Sequence, residues 1–217
     1  MASRSYGHYC AVATTLDMIG ERWSLLVVRE LLDGPKRYVD LLAGLVGIST
    51  DMLATRLKAL EEAGVISRRT LPAPAASKVY ELTPLGWALR PTMTELARFG
   101  MRLLGEQGDG TAFQVHWITP SLQAMFRPEL APAIPLTVEF RVDADAMHAR
   151  ITEGALHTFP GRSDDPDVVL TFADAATLAE IGRDPTASLT AVSTGRLHVQ
   201  GKPDAVEATR RLFGLNH

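Results

Sequence analysis

Apolar residues recur at helical spacing through the first hundred positions and at alternate positions through much of the second half of the chain. Val12, Leu16 and Ile19 mark a first helix over residues 10–19, interrupted at Gly20. Trp23, Leu26, Val27 and Leu31 give a second helix, residues 23–32, an inward face, and Gly34-Pro35 stops it. Tyr38, Leu41, Leu42 and Leu45 line one side of a short third helix over 38–45. Between residues 48 and 64, Leu53, Leu57 and Leu60 share one side, Ser49 and Thr50 are placed to cap the start, and Gly64 suits the left-handed close. Two β-prone runs, 65–70 and 78–83, flank a Pro-Ala-rich tip over 71–77 and predict a hairpin. One long helix is then expected over 83–106, with Thr83 as cap, Pro84 at its first position, and Leu85, Leu89, Leu96, Phe99, Leu103 and Leu104 on its apolar side.

The texture changes after the Gly-rich stretch 105–110, which reads as a linker. Leu136, Val138, Phe140 and Val142 alternate with Thr137, Glu139, Arg141 and Asp143, the pattern of a half-buried strand. Met147, Ala149 and Ile151 continue the alternation after a turn. A strand over 168–172, a helix over 173–181, a strand over 196–199 and a closing helix over 203–213 complete an α+β unit, a sheet packed on helices. The expected domains are therefore residues 1–108 and 109–217.

Composition sharpens this picture only in places. An apolar content of 46% is ample for packed cores in a chain of 217 residues. No apolar run is long enough to span a bilayer, and residues 1–6 are too short and polar for a signal peptide, so a cytoplasmic protein with no membrane partner is expected. The net charge of −3 is uneven: residues 1–108 carry 13 Lys+Arg against 11 Asp+Glu, residues 109–217 carry 9 against 14. A mildly basic first half can meet an anion that the acidic second half does not. A single cysteine, Cys10, excludes an intramolecular disulfide and a Cys-cluster zinc site.

Candidate chemistry concentrates on the helix over 48–64. Opposite its leucines lie Asp51, Thr55 and Lys58, flanked by Thr50 and Arg56 and preceded by Ser49. Such short hydrogen-bonding and cationic groups reach base edges and phosphates, although an ordinary amphipathic surface helix looks the same in isolation. The hairpin beside it carries Arg68, Arg69 and Lys78, the equipment of a wing lying along a phosphate backbone, and Lys36 and Arg37 sit at the entrance of the third helix, well placed to clamp a phosphate. Helix, helix, recognition helix, hairpin is the order of a winged helix-turn-helix. The six histidines show no i, i+4 pair and no His-x-Glu companion, and no Walker or dinucleotide fingerprint is present, so neither an enzyme nor a metal or other cofactor is expected.

The segments Leu16-Asp17-Met18-Ile19-Gly20-Glu21-Arg22-Trp23-Ser24, Arg29-Glu30-Leu31-Leu32-Asp33-Gly34-Pro35-Lys36-Arg37-Tyr38, Gly47-Ile48-Ser49, Leu53, Arg56-Leu57, Leu60-Glu61-Glu62-Ala63-Gly64 and Tyr80-Glu81-Leu82-Thr83-Pro84-Leu85-Gly86, in that order after Cys10, resemble the HxlR-type winged-helix regulators over residues 8–105. The resemblance implies a homodimer that binds double-stranded DNA, with the first helix and the long helix after the wing at the dimer contact. Two positions depart from the family pattern: Asp51 stands where a basic residue is common, and Ala11 replaces a proline. Cys10 matches a position that some members use as a thiol sensor, with His8 and Arg22 as candidate neighbours; the plainer reading is a small residue at a dimer contact.

In the second half, residues 165–172, 178–182 and 193–203 resemble the sterol carrier protein type 2 fold, over roughly 112–215. That resemblance implies a twisted sheet packed on helices around a hydrophobic cavity, with Phe140, Phe159, Phe172, Leu178, Ile181 and Leu197 as wall candidates, and Trp117 and Met125 either lining its entrance or packing the two domains together. The plainer reading is that they fill a solid core. The whole reads as a dimeric DNA-binding regulator, a repressor, whose second domain senses an apolar small molecule. A redox regulator acting through Cys10, and a lipid carrier using the winged helix only to dimerise, are the alternatives.

Overall fold

The computed structural model describes residues 5–72, 74, 76–105 and 111–215, so most of the expected linker, all but Tyr6 and Ser5 of the N-terminal segment, and parts of the hairpin tip lie outside the described residues. The chain separates into two compact units, Met1–Met93 and Thr94–His217. Both α and β elements are present in each. No helix among the described residues is long and apolar enough to cross a membrane.

In the first unit α1 spans Ala11–Ile19, α2 Ser24–Leu31, α3 Tyr38–Gly44 and α4 Thr50–Glu62, followed by the antiparallel hairpin β1 (Ile66–Thr70) and β2 (Lys78–Leu82). Ser49 accepts a hydrogen bond from the Met52 N–H at 3.2 Å and so caps α4; Gly64, at φ +71°, makes the turn into β1. Leu53, Leu57 and Leu60 are fully buried against Val27, Val28 and Leu31 of α2, and each contributes roughly 2 kcal/mol by leaving water. The inward face of α2 differs from the expectation at two positions. Leu26 is exposed and Val28 buried: with Trp23 outside the helix in a left-handed conformation at φ +79°, the buried stripe runs through Ser24, Val27, Val28 and Leu31 at i, i+3, i+4 and i+7.

A buried charge cluster joins these elements. Glu30 of α2 has no exposed side-chain surface; Arg29 Nη2 donates to its Oε1 at 2.8 Å and Lys36 Nζ to its Oε2 at 2.7 Å. Lys36 also exchanges both backbone hydrogen bonds with Tyr80 of β2, at 3.0 and 2.8 Å, which adds a one-residue third strand to the wing. Burial pulls the Arg29 guanidinium below its ordinary pKa, and the Glu30 carboxylate works against that shift.

The expected single helix after the wing is two helices. Thr83 accepts from the Gly86 N–H and caps α5 (Pro84–Trp87), and α6 runs Arg90–Met101. Pro91 accounts for the break: it has no N–H for the carbonyl of residue 87, and its ring would collide with that carbonyl in a continuous helix.

The second unit holds a five-stranded sheet in the order β5-β4-β3-β6-β7, with β3 Leu136–Val142, β4 Asp145–Thr152, β5 Ala155–Pro160, β6 Val168–Phe172 and β7 Leu197–Gly201. Neighbours are antiparallel except the β3–β6 pair. The helices are α7 (Thr119–Met125), α8 (Ala175–Arg183, capped by Asp174), α9 (Ala187–Ser193) and α10 (Pro203–Leu212). Strand β5 and helices α7 and α9 have no counterpart in the periodicity.

Nor is β3 half-buried: Thr137 and Glu139, expected outward, are buried as well. To reach the parallel side of β3, the chain between β5 and β6 crosses the sheet's second face. Gly161 donates its N–H to Ala146 of β4, Ser163 to the Glu139 carboxylate at 2.7 Å, and Asp167 to the Thr137 carbonyl. Arg141 supplies Glu139 with its second partner. The other face carries Leu136, Val138, Phe140, Val168, Leu170 and Phe172 into the core with Ile181, Leu197 and Leu212.

A methyl group added at Gly44 would fall on Glu30 Oε2, inside contact distance, while that carboxylate is held in place by two cations. Gly44→Ala is therefore expected to destabilise the protein by about 1–3 kcal/mol, as overpacking does, although alanine is the better helix former by about 1 kcal/mol. Urea unfolding checks the sign, and a more stable Gly44→Ala would contradict the buried placement of Glu30.

Candidate nucleic-acid interface

Helix α4 and the wing define the candidate surface. Thr50, Asp51, Thr55 and Lys58 are exposed on α4, and Lys58, 77% exposed, is only loosely paired with Glu62 at 3.8 Å. Asp51 in the first turn is favoured there by the helix dipole. The Thr55 hydroxyl donates to the Asp51 carbonyl at 2.7 Å, which leaves its oxygen lone pair outward to accept from a base edge. Tyr38 of α3 donates its hydroxyl to the Thr50 carbonyl at 2.8 Å and so fixes the start of α4 relative to α3.

Three residues expected to face a ligand have other partners. Ser49 is spent on the cap. Arg56 is only 16% exposed and reaches back toward Glu21 of the α1–α2 connection at 3.7 Å, because its position on α4 lies at the edge of the leucine face. Lys36, 19% exposed, neutralises Glu30 rather than standing free at the α3 entrance. Met52, exposed in the first turn beside Asp51, also belongs to this surface; an apolar side chain among polar neighbours gives no sign of contact in the sequence.

Arg37, Arg68, Arg69 and Lys78 do point outward, and three of them are paired with carboxylates. Arg37 makes a two-pronged contact with Asp40 at 2.8 Å, which raises the pKa of the guanidinium and lowers that of the carboxyl. Arg68 reaches Glu61 at 3.2 Å and lies over the Tyr80 ring at 5.0 Å; Arg69 reaches Glu81 at 2.6 Å. All three are about half exposed, where solvent screens an ion pair strongly, so exchanging a carboxylate for a phosphate is cheap. Lys78 is exposed at the start of β2, opposite Thr70.

Cys10 stands exposed at the N-terminus of α1. Its thiol does not cap the helix, yet the backbone N–H of Ala13, and less so that of Val12, lower its pKa below that of an ordinary thiol. The cause is backbone, not His8 or Arg22: His8 supplies only its carbonyl to the Cys10 N–H, and Arg22 lies over the Trp23 ring.

In the second unit the cavity candidates divide. A cavity of about 60 Å³ is lined by Met125, Phe140, Phe172, Leu178 and Ile181 among others. A larger one, about 280 Å³, includes Leu197. Phe159 belongs to neither: it lies on the sheet's second face, exposed, stacked on His148 at 5.2 Å and beneath Arg150. Trp117 lines neither cavity and meets His116 edge-on.

The family model for HxlR-like helix-turn-helix proteins matches residues 18–108. Over 101 residues the chain is 35% identical to the uncharacterized HTH-type transcriptional regulator sll1512 of Synechocystis, covering 46% of this chain and 75% of that protein. It is 36% identical over 83 residues to the HTH-type transcriptional regulator YodB of Bacillus subtilis, covering 38% and 74%. The solved reduced form of that YodB aligns with a TM-score of 0.40 at 33% identity, over 47% of this chain and 100% of the other. The family match stops at residue 108, and most of the α+β unit lies beyond it.

If the wing arginines meet phosphates, Arg68→Ala combined with Arg69→Ala will weaken binding to every DNA sequence alike and reduce the slope of log affinity against log salt by about 2. Anisotropy titrations at several salt concentrations read that slope, and an unchanged slope removes the wing from the contact.

Proposed function

The chain belongs to the HxlR-like helix-turn-helix family, and from that premise we propose that it is a homodimeric, sequence-specific DNA-binding transcriptional regulator, acting as a repressor, whose second unit senses an apolar small molecule. The observation that carries the reading is the capped helix α4 presenting Thr50, Asp51, Thr55 and Lys58 beside a hairpin that presents Arg68, Arg69 and Lys78. The DNA-binding and dimerising part runs over residues 1–108, α6 included. Two copies of α4 enter successive major grooves about 34 Å apart. Asp51 accepts from a cytosine amine, Thr50 and Thr55 contact bases, Lys58 positions on them, and Arg37, Arg68, Arg69 and Lys78 hold phosphates.

Dimerisation through α1 and α6 is supported by the apolar surface they leave open: Val12 and Leu16 on α1, and Leu96 and Phe99 on α6 with Leu103 just beyond it. Leucine and phenylalanine this exposed and this regularly spaced call for a partner surface. Sensing by the part of the second unit over residues 109–217, read as of sterol-carrier type, is supported by the sheet-on-helix arrangement and by two apolar cavities among the described residues. A ligand there acts by preferring one dimer geometry, since it shifts an equilibrium only through differential affinity.

Fluorescence anisotropy of the full chain on DNA taken from just upstream of its own reading frame, against a scrambled duplex of equal length, tests the regulator. Binding at least 100-fold tighter to the upstream fragment at about 150 mM salt is expected. Weak and equal binding to both, abolished by modest salt, would mean phosphate attraction alone.

A second reading rests on Cys10, whose thiol is exposed and more acidic than an ordinary one. Under it, alkylation by N-ethylmaleimide changes the DNA affinity of the wild type several-fold, and Cys10→Ser binds DNA normally but no longer responds. A Cys10→Ser protein that still responds to the reagent rules this switch out.

A further inference from the structure

We propose that the larger cavity of the second unit takes a compact amphipathic carboxylate, with the acid group held by Arg210 and the apolar body laid on the sheet. This rests on the ligand-sensing reading of the second unit and names its ligand class. The floor of the cavity is apolar: Val168 and Leu170 of β6, and Leu197 and Val199 of β7. These four share one face, because Leu170 is paired with Val199 and the intervening residues point to the sheet's other side. Val206 of α10 and the half-exposed Leu189 and Val192 of α9 complete the walls and rim.

The polar groups of the lining decide what the ligand carries at its other end. Ser188 donates its hydroxyl proton to the Pro185 carbonyl, Ser193 to Thr190, and Thr209 to Ala205. Their protons are committed to backbone, so none is available to an anion. Arg210 is the cation of the lining, and its own partner, Glu207, is 3.7 Å away on the same exposed turn. That separation is longer than a charge-assisted hydrogen bond, so a ligand carboxylate meeting the guanidinium fork at about 2.7–2.9 Å displaces it. A positively charged head would instead have to approach Arg210 without a proton acceptor of its own, and a neutral alcohol offers the guanidinium one uncharged acceptor in place of two that share a negative charge.

Size narrows the class further. A volume of about 280 Å³ lies at the bottom of the range for small-molecule sites, roughly 300–1,000 Å³. At about 30 Å³ for a group of water's size, it accommodates on the order of ten heavy atoms. Octanoate fits that count; a sterol or a long acyl chain would have to extend past the half-exposed rim or into the smaller cavity across Leu170 and Leu215, which line both.

Isothermal titration of the full chain with octanoate, 1-octanol and octylamine, repeated on Arg210→Gln and Val192→Trp, tests the assignment. Octanoate is expected to bind at least tenfold tighter than 1-octanol, Arg210→Gln to remove that preference by weakening octanoate far more than 1-octanol, and Val192→Trp, a rim position that tolerates bulk without disturbing the core, to weaken both. Equal binding of octanoate and 1-octanol, or tighter binding of octylamine, overturns the acid assignment and leaves the apolar-sensor reading standing. Binding that ignores Val192→Trp places the ligand elsewhere and overturns the assignment, as does no binding by any of the three; the apolar-sensor reading itself falls only if larger apolar probes, a long-chain acid and a sterol, also fail to bind.

Discussion

The buried carboxylate of Glu30 is the constraint on which the first unit depends. A fully buried carboxylate is tolerated only when its charge is met by partners of good geometry, and here Arg29 comes from its own helix while Lys36 comes from the entrance to α3. Lys36 is in turn bonded through its backbone to Tyr80, so one charge cluster ties α2, the α3 entrance and the wing together. Gly44 is small because Glu30 lies against it. The cost is functional as well as energetic: a lysine that could have met a phosphate at the surface is used inside. What it secures is the placement of the wing against the helices, and with it the distance between Arg68, Arg69 and α4.

The second unit solves a different problem. Because β3 pairs in parallel with β6, the sheet cannot be closed there by a tight turn; the connection has to cross a face. That crossing buries Glu139, met by Arg141 and the Ser163 N–H, and leaves the opposite face to the apolar core. On that core side the helices α8, α9 and α10 do not fill the space over β6 and β7 completely. The resulting cavity is therefore a property of how helices meet a twisted sheet: an apolar floor from β6 and β7, a half-exposed rim from α9, and Arg210 as the charged group of the lining.

The candidate DNA surface is only modestly basic once its ion pairs are counted in. Arg37, Arg68 and Arg69 each have a carboxylate within reach, and Asp51 adds a negative charge at the tip of α4. Under the proposed reading, phosphate contact replaces one weak, half-exposed ion pair by another, so much of the specificity falls to Thr50, Asp51 and Thr55 rather than to bulk attraction.

By itself the sequence determined the elements whose signals are local. Helix α4 with its Ser49 cap, its three leucines and Gly64, the hairpin with its three cations, and the strands β3, β4 and β6 are all set by spacing and turn residues within a dozen positions. What only the tertiary structure decided depends on partners far apart in the chain. Residue type and spacing make Arg56 and Lys36 look ligand-facing, and cannot reveal that Glu21 or Glu30 claims them first. Phe159 and Phe172 have the same apolar character, yet one lies exposed on the second face and the other in the core, because strand pairing, not hydrophobicity, assigns each to its side. Arg210 carries no signal at all in the sequence: on α10 it is one arginine of an adjacent pair, and only the packing of α9 and α10 over β6 and β7 sets it beside a cavity.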